Sequence, residues 1–238
     1  LIAAQKVGKL PKIVIPVHFS GQSCDMQAIH ELAKKYGFSI IEDASHAIGG
    51  KYKGEPIGNS RYSDITIFSF HPVKIVTSAE GGAAVTNRAD LAEKMLLLRS
   101  HGITRDEQLM TQDMDGPWYY QQIALGFNYR MTELQAALGL SQMQRLEAFV
   151  IKRHELASRY DNLLHDLPII LPWQHPDSYS ARHLYVIRLQ LEQINITHLD
   201  VFNALRAAGI QANLHYIPVH MQPYYQKMGF ASGQFPEA

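Results

Sequence analysis

Ile13-Val14-Ile15-Pro16-Val17 and Phe38-Ser39-Ile40-Ile41-Glu42-Asp43 bracket an amphipathic run that opens at Asp25 and closes at Gly37. The two flanking runs are short, apolar and β-rich, as buried strands are. Between them Met26, Ile29, Leu32, Ala33 and Tyr36 fall on one side of a helix. Asp25 can supply the N-cap oxygen, and Gly37 the left-handed stop. A strand–helix–strand unit of this kind implies parallel pairing with a right-handed crossover. The predicted class is α/β: a mostly parallel sheet with flanking helices.

Working outward, Asp64-Ile65-Thr66-Ile67-Phe68-Ser69 reads as a third strand, and Gly81-Gly82-Ala83-Ala84-Val85-Thr86 opens a fourth. A helix follows Asn87, with Leu91, Met95 and Leu98 on one stripe, and stops near Gly102. Residues 103–122 mix charge, Gly, Pro and aromatics and read as a long loop, which in a compact domain is functional or mobile. Thr132 and Gln135 form a capping box that starts a long helical stretch to about Asp166, before Pro168 and Pro172 break the chain. His183 to Leu189 reads as a strand in a new context. Thr197 then starts a helix carrying Leu199, Phe202 and Leu205, which Gly209 ends. The change of domain is placed within the long helix, giving a larger domain over 1–150 and a smaller one over 151–238. Both termini read as interrupted, and a piece of a longer polypeptide is expected.

Bulk properties bound the function. The 238 residues are 46% hydrophobic, enough for a sizeable core. With 22 basic and 22 acidic side chains, nothing electrostatic favours nucleic acid or an anionic membrane. No apolar run reaches membrane-spanning length, and the first residues carry no leader pattern. The twelve histidines are scattered without metal-ligand spacing, so no metal is expected. The single cysteine, Cys24, can make no intrachain disulfide; a lone thiol fits a reducing compartment, so a cytoplasmic protein is expected. Cys24 itself reads as a half-buried filler.

Three stretches could carry chemistry. Asp43 ends a parallel strand, where open α/β sheets bind ligands, and the small residues Ala44-Ser45-His46-Ala47 follow it. Taken alone, Asp43 reads as an acid capping the next turn. In Ser69-Phe70-His71-Pro72-Val73-Lys74 a strand delivers Ser and His, proline bars a helix, and a lysine follows at once. Alone, that lysine reads as a solvated surface residue; held among apolar neighbours, it becomes a nucleophile. Thr77-Ser78-Ala79-Glu80-Gly81-Gly82 sets two hydroxyls, an acid and two glycines before a strand, by itself a weak signal for a ligand loop. Together, Asp43, Ser69 and Lys74 stand in order at successive strand ends. These are the three roles that pyridoxal 5′-phosphate (PLP) chemistry needs: a carboxylate for the pyridine nitrogen, a hydroxyl for the phosphate, and a Schiff-base lysine.

Glu42 to Gly50, Asp64 to Lys74, Glu80-Gly81-Gly82 and Gly126 to Ala137 resemble the sugar-nucleotide aminotransferases of the DegT/DnrJ/EryC1/StrS family, fold type I PLP enzymes. His215 to Tyr225 resembles the family's small domain. The resemblance covers nearly the whole chain and implies a role for each matching residue. Asp43 pairs with the pyridine nitrogen, His46 approaches the ring's 3-oxygen, Ser69 binds the phosphate, and Lys74 forms the Schiff base. Asn128 reaches the phosphate of the neighbouring subunit's cofactor, so a homodimer with shared sites is implied. His71, Glu80 and His215 fall on the substrate side, though a structural histidine at 215 stays open. His71-Pro72-Val73-Lys74 and Thr77 to Gly82 are most similar to the pseudaminic acid branch. That branch implies amino transfer from glutamate to C4 of a UDP-linked 4-keto-6-deoxy sugar. The resemblance also implies a segment before residue 1, with a Gly/Ser-Thr phosphate loop and a ring-stacking aromatic, and a continuation past residue 238. These 238 residues alone are therefore expected to bind PLP poorly and to transaminate feebly. Two rivals share the fold: a PLP-dependent sugar dehydratase, whose relatives carry histidine in place of Lys74, and a catalytically silent binding protein.

Overall fold

The computed structural model describes residues 1–236. Its main sheet has four strands in the order β1 (Ile13–Val14), β2 (Ser39–Asp43), β3 (Ile65–Ser69) and β4 (Gly82–Val85). The first three run parallel, as the strand–helix–strand pattern predicts, and β4 returns antiparallel to β3. The crossover helix Met26–Tyr36 starts where Asp25 accepts the Ala28 N–H at 3.2 Å. It stops at Gly37, in the left-handed region at φ 76°. Its buried residues Met26 and Ala33 join Phe38, Ile40 and Tyr52 in one core. A second core gathers Ile48, Ile75, Val76, Val150 and Ala181.

Register decides which side chains share a face. Asp43 pairs with Ile67, and Glu42 with Thr66. Because side chains alternate along a strand, Asp43, Ile67 and Ser69 look out of one face and Glu42 and Thr66 out of the other.

Elsewhere the structure departs from the sequence expectation. The long helical stretch is two helices, Glu133–Met143 and Leu146–Leu164. Arg145 leaves helical geometry at φ −108°, ψ 1° and bonds back to Gln142. No Gly or Pro marks the break. The expected strand His183 to Leu189 shrinks to Arg188–Leu189, paired antiparallel with Ile169–Ile170. Before it, Ala181 N–H donates to Gly21 O and Leu184 N–H to Ser20 O, so that segment is spent on a turn rather than a ladder. The long loop 103–122 has its ends tied by a short antiparallel ladder, Ile103–Thr104 with Gln121–Gln122.

Two compact units emerge. The first is Leu1–Leu167 with Leu171–Ile187; the second is Pro168–Ile170 with the chain from Arg188 onward. The boundary expected at residue 150 falls inside the Leu146–Leu164 helix, which stays whole in the first unit. Val150 and Ala157 on that helix are buried, and breaking it mid-length would expose them. The second unit holds the Ile169–Ile170/Arg188–Leu189 ladder and the helix His198–Ala207, started by a Thr197–Asp200 capping box. Among the described residues no helix is long and apolar enough to cross a membrane.

Candidate active site

Asp43 and Ser69 arrive at the same end and face of the sheet because β2 and β3 are parallel and in register. The Asp43 carboxylate turns back on its own chain: Oδ1 accepts the Ser45 N–H at 3.0 Å. The capping role that Asp43 shows when read alone is thus real, and it also fixes the carboxylate's direction. Behind it Ala44 and Ala47 are fully buried and leave no bulk over the strand end.

Lys74 sits at the start of the connection between the antiparallel strands β3 and β4. The ladder ends at Ser69 opposite Gly82, and Phe70 N–H adds one more bond to Gly81 O at 2.9 Å. A turn follows in which the Lys74 N–H donates to His71 O at 2.9 Å, with Pro72 inside it. The next two residues, Ile75 and Val76, plunge into the second core. The lysine is therefore pinned on both sides, by a turn before and a buried anchor after. Its side chain is half-buried. Burial pushes the amine below the ordinary lysine range, while the nearby Asp43 carboxylate pulls in the opposite direction. Asp43 and Lys74, thirty-one positions apart, are thus close enough for the carboxylate to act on the amine's charge.

The rest of the connection is tightly knitted. Thr77 Oγ1 donates to Phe70 O at 3.0 Å and accepts from Ala79 N–H at 3.0 Å. The fully buried Ser78 donates to Glu80 O at 2.9 Å. These hydroxyls build the loop. His71 and Glu80 face each other across it, Nε2 to Oε1 3.9 Å, with side chains 48% and 70% exposed. An ion pair so exposed adds little stability.

His46 lies beside the Ser20–Gly21 turn. Its Nδ1 accepts the Ser20 N–H at 3.3 Å, which leaves Nε2 as the ring's proton-bearing nitrogen in the neutral form. The His183 ring packs on it, centroids 4.4 Å apart. Segment 180–183 is held there by the long helix, where Arg153 donates to Arg182 O and His183 O, each at 3.2 Å, and His154 bonds Ser180 O. Sequence reading missed this contribution of His183, because the two histidines are far apart in the chain and meet only through the Gly21 turn.

Asn128 lies on an exposed segment bridged to Ser100, away in the chain from the β3–β4 connection that carries Lys74. His215 belongs to the second unit. A cavity of about 850 Å³ is lined by Gly49, Met143, Leu146, Val150 and Tyr179 among others, and none of the predicted site residues lines it. The described residues contain no group of His, Cys, Asp and Glu that could hold a metal ion.

The α/β sheet presents a carboxylate and a hydroxyl at adjoining strand ends, with a half-buried lysine in the turn that follows. The residues present fit PLP: the carboxylate and the hydroxyl share one face and end of the sheet, and the lysine stands just beyond. The chain belongs to the DegT/DnrJ/EryC1/StrS aminotransferase family, which it matches over residues 2–238. It is 40% identical over 213 residues to the UDP-4-amino-4,6-dideoxy-N-acetyl-beta-L-altrosamine transaminase of Campylobacter jejuni, covering 89% of this chain and 54% of that protein. Helicobacter pylori PseC, an aminotransferase involved in the biosynthesis of pseudoaminic acid, superposes with a TM-score of 0.79 at 34% identity, covering 90% of this chain and 55% of that one. Spr1654 of Streptococcus pneumoniae, solved in a PLP form, gives 0.78 at 29% identity, covering 92% and 58%. The chain thus spans a little over half the length of these relatives. Pyridoxal 5′-phosphate is the cofactor of this site.

Proposed function

We propose that this chain carries the lysine side of a sugar-nucleotide aminotransferase site. The amino group passes from glutamate to C4 of a UDP-linked 4-keto-6-deoxy sugar of the pseudaminic acid type. The observation that carries the reading is that Asp43 and Ser69 share one face and end of the sheet, with half-buried Lys74 pinned in the turn just beyond Ser69. When bound, PLP supplies the electron sink that lets a proton leave the amino donor's α-carbon.

The chain's own residues do the rest. Lys74 is the attachment point, and its lowered pKa makes the neutral amine available to lift and return the proton. Asp43, oriented by the Ser45 N–H, holds a proton on the pyridine nitrogen. His46 offers Nε2–H to the ring's 3-oxygen, and Ser69 Oγ binds the phosphate. His71 and Glu80 contact substrate. Asn128 reaches the phosphate of a second copy's cofactor, in a cytoplasmic homodimer with shared sites. The exposed apolar run around it, with Leu125 89% and Leu134 86% exposed, supports such a covering subunit. Lys74 also favours transamination over the dehydratase reading, whose relatives carry histidine there.

The test is intact mass after PLP addition and borohydride reduction. One adduct mapping to Lys74 and absent in Lys74→Ala is expected in the full-length protein. No adduct on Lys74 would sink the assignment.

A further inference from the structure

Directly behind the strand end that bears Asp43 lies a polar group that the proposed reaction does not use. His18 is fully buried. Its backbone N–H donates to Asp43 O at 3.0 Å, and its neighbour Val17 bridges to Asp43. On its ring, Nδ1 accepts the Cys24 N–H at 3.2 Å, and Nε2 stands 3.4 Å from Glu42 Oε1. That carboxylate is itself buried and accepts the Thr66 hydroxyl at 3.3 Å, while Ser63 and Thr66 share a hydrogen bond at 3.2 Å.

A buried charged pair of this kind is poor value for stability, since apolar side chains of equal volume commonly do as well. What it gives here is a fixed position. Glu42 points to one face of β2 and Asp43 to the other, so whatever pins the Glu42 side chain sets the rotation of the strand end and the direction of the Asp43 carboxylate. With Nδ1 occupied by the Cys24 N–H, the ring's proton sits on Nε2, within ion-pair distance of Glu42 but without a well-aligned hydrogen bond to it. Protonating the ring keeps that Nε2–H but costs Nδ1 its acceptor role toward the Cys24 N–H.

We propose that His18 is a positioning residue for Asp43, acting from the opposite face of the sheet through Glu42. The inference rests on the reading that Asp43 serves the pyridine nitrogen. His18→Gln keeps an N–H donor where Nε2 stands; His18→Asn keeps an acceptor where Nδ1 stands and loses contact with Glu42; His18→Leu keeps neither. In full-length protein with PLP, two quantities are measured for each: the cofactor dissociation constant, and the pH midpoint of the cofactor's visible absorption band. Asp43→Asn is the reference.

His18→Leu and His18→Asn should bind PLP more weakly, by up to roughly tenfold, as the Asp43 carboxylate loses its set direction. Their band midpoint should move in the same direction as in Asp43→Asn, and His18→Gln should restore both values. A purely structural role would lower thermal stability without moving the midpoint. If Asp43→Asn shifts the band while His18→Leu and His18→Asn leave it unmoved, the positioning role is overturned and the Asp43 reading stands. If Asp43→Asn itself changes nothing, both fall. Should His18→Leu not fold, the comparison of His18→Asn with His18→Gln decides: equal midpoints in the two overturn the proposal.

Discussion

Lys74 and His18 are both titratable groups taken out of water, and their neighbours push them in opposite senses. For Lys74 burial dominates and lowers the pKa, with the Asp43 carboxylate resisting. Removing that carboxylate should let burial win further. Asp43→Asn should therefore lower the pH at which Lys74 is half-modified by an amine reagent, below a wild-type value already under the ordinary lysine pKa of about 10.4. Peptide mapping across a pH series reads this directly, and an upward move would refute the coupling. For His18 burial opposes the charged ring, but the Cys24 side chain and the Glu42 carboxylate outweigh it and push the pKa up to about 9 from 6.5. A pKa raised on folding contributes stability that is complete below about pH 6.5 and lost as pH climbs through about 9. Denaturant melts between pH 6 and 10 should show that decline, worth a few kcal/mol at most (~2–3). In His18→Gln the slope should flatten. None of this was visible in the residues themselves: Val17-His18-Phe19 reads as the end of a strand, and only the register of β2 shows which acid faces the ring.

At the level of elements, the site is assembled by connections more than by strands. Gly21 is the tightest of them. It sits at φ +107°, and an added Cβ would meet Arg182 N at 2.8 Å and both His183 N and His46 O at 3.0 Å. All three are backbone atoms, so no side chain can step aside. Gly21→Ala should destabilise the first unit by roughly 2 kcal/mol or more and loosen His46 with it. A variant as stable as the parent in urea would show that the turn is not fixed. The Thr132–Gln135 capping box is a gentler case. It was legible in the sequence, and it forms as expected, with Gln135 N–H to Thr132 Oγ1 at 3.3 Å and Thr132 N–H to Gln135 Oε1 at 3.0 Å. Thr132→Ala should cost about 1 kcal/mol, read as a lower melting temperature. The helix it starts ends sooner than periodicity indicates, because the break at Gln144–Arg145 has no Gly or Pro to announce it.

For the molecule as a whole, the exposed apolar residues between Trp118 and Leu140 are too many for a free surface. If a second copy covers them, Leu134→Asp should shift the protein towards monomer in sedimentation velocity and weaken PLP binding through loss of Asn128 from the neighbouring site. An unchanged sedimentation coefficient would argue against the homodimer. The same experiment on these 238 residues bears on the expectation that they bind PLP weakly when isolated. A full visible absorption band in that form would overturn it.

The amino-acid sequence determined the local choices: the Asp25 cap and Gly37 stop, three strands in parallel order, and Asp43 and Ser69 at the ends of two of them. Those follow from periodicity, caps and side-chain chemistry, which act over a few residues. It did not determine where the long helix breaks, where one unit gives way to the next, that β4 runs antiparallel, or that His183 meets His46 and His18 meets Glu42. These depend on register and packing between segments as much as 137 positions apart (His46 to His183), and such contacts exist only once the chain has closed on itself.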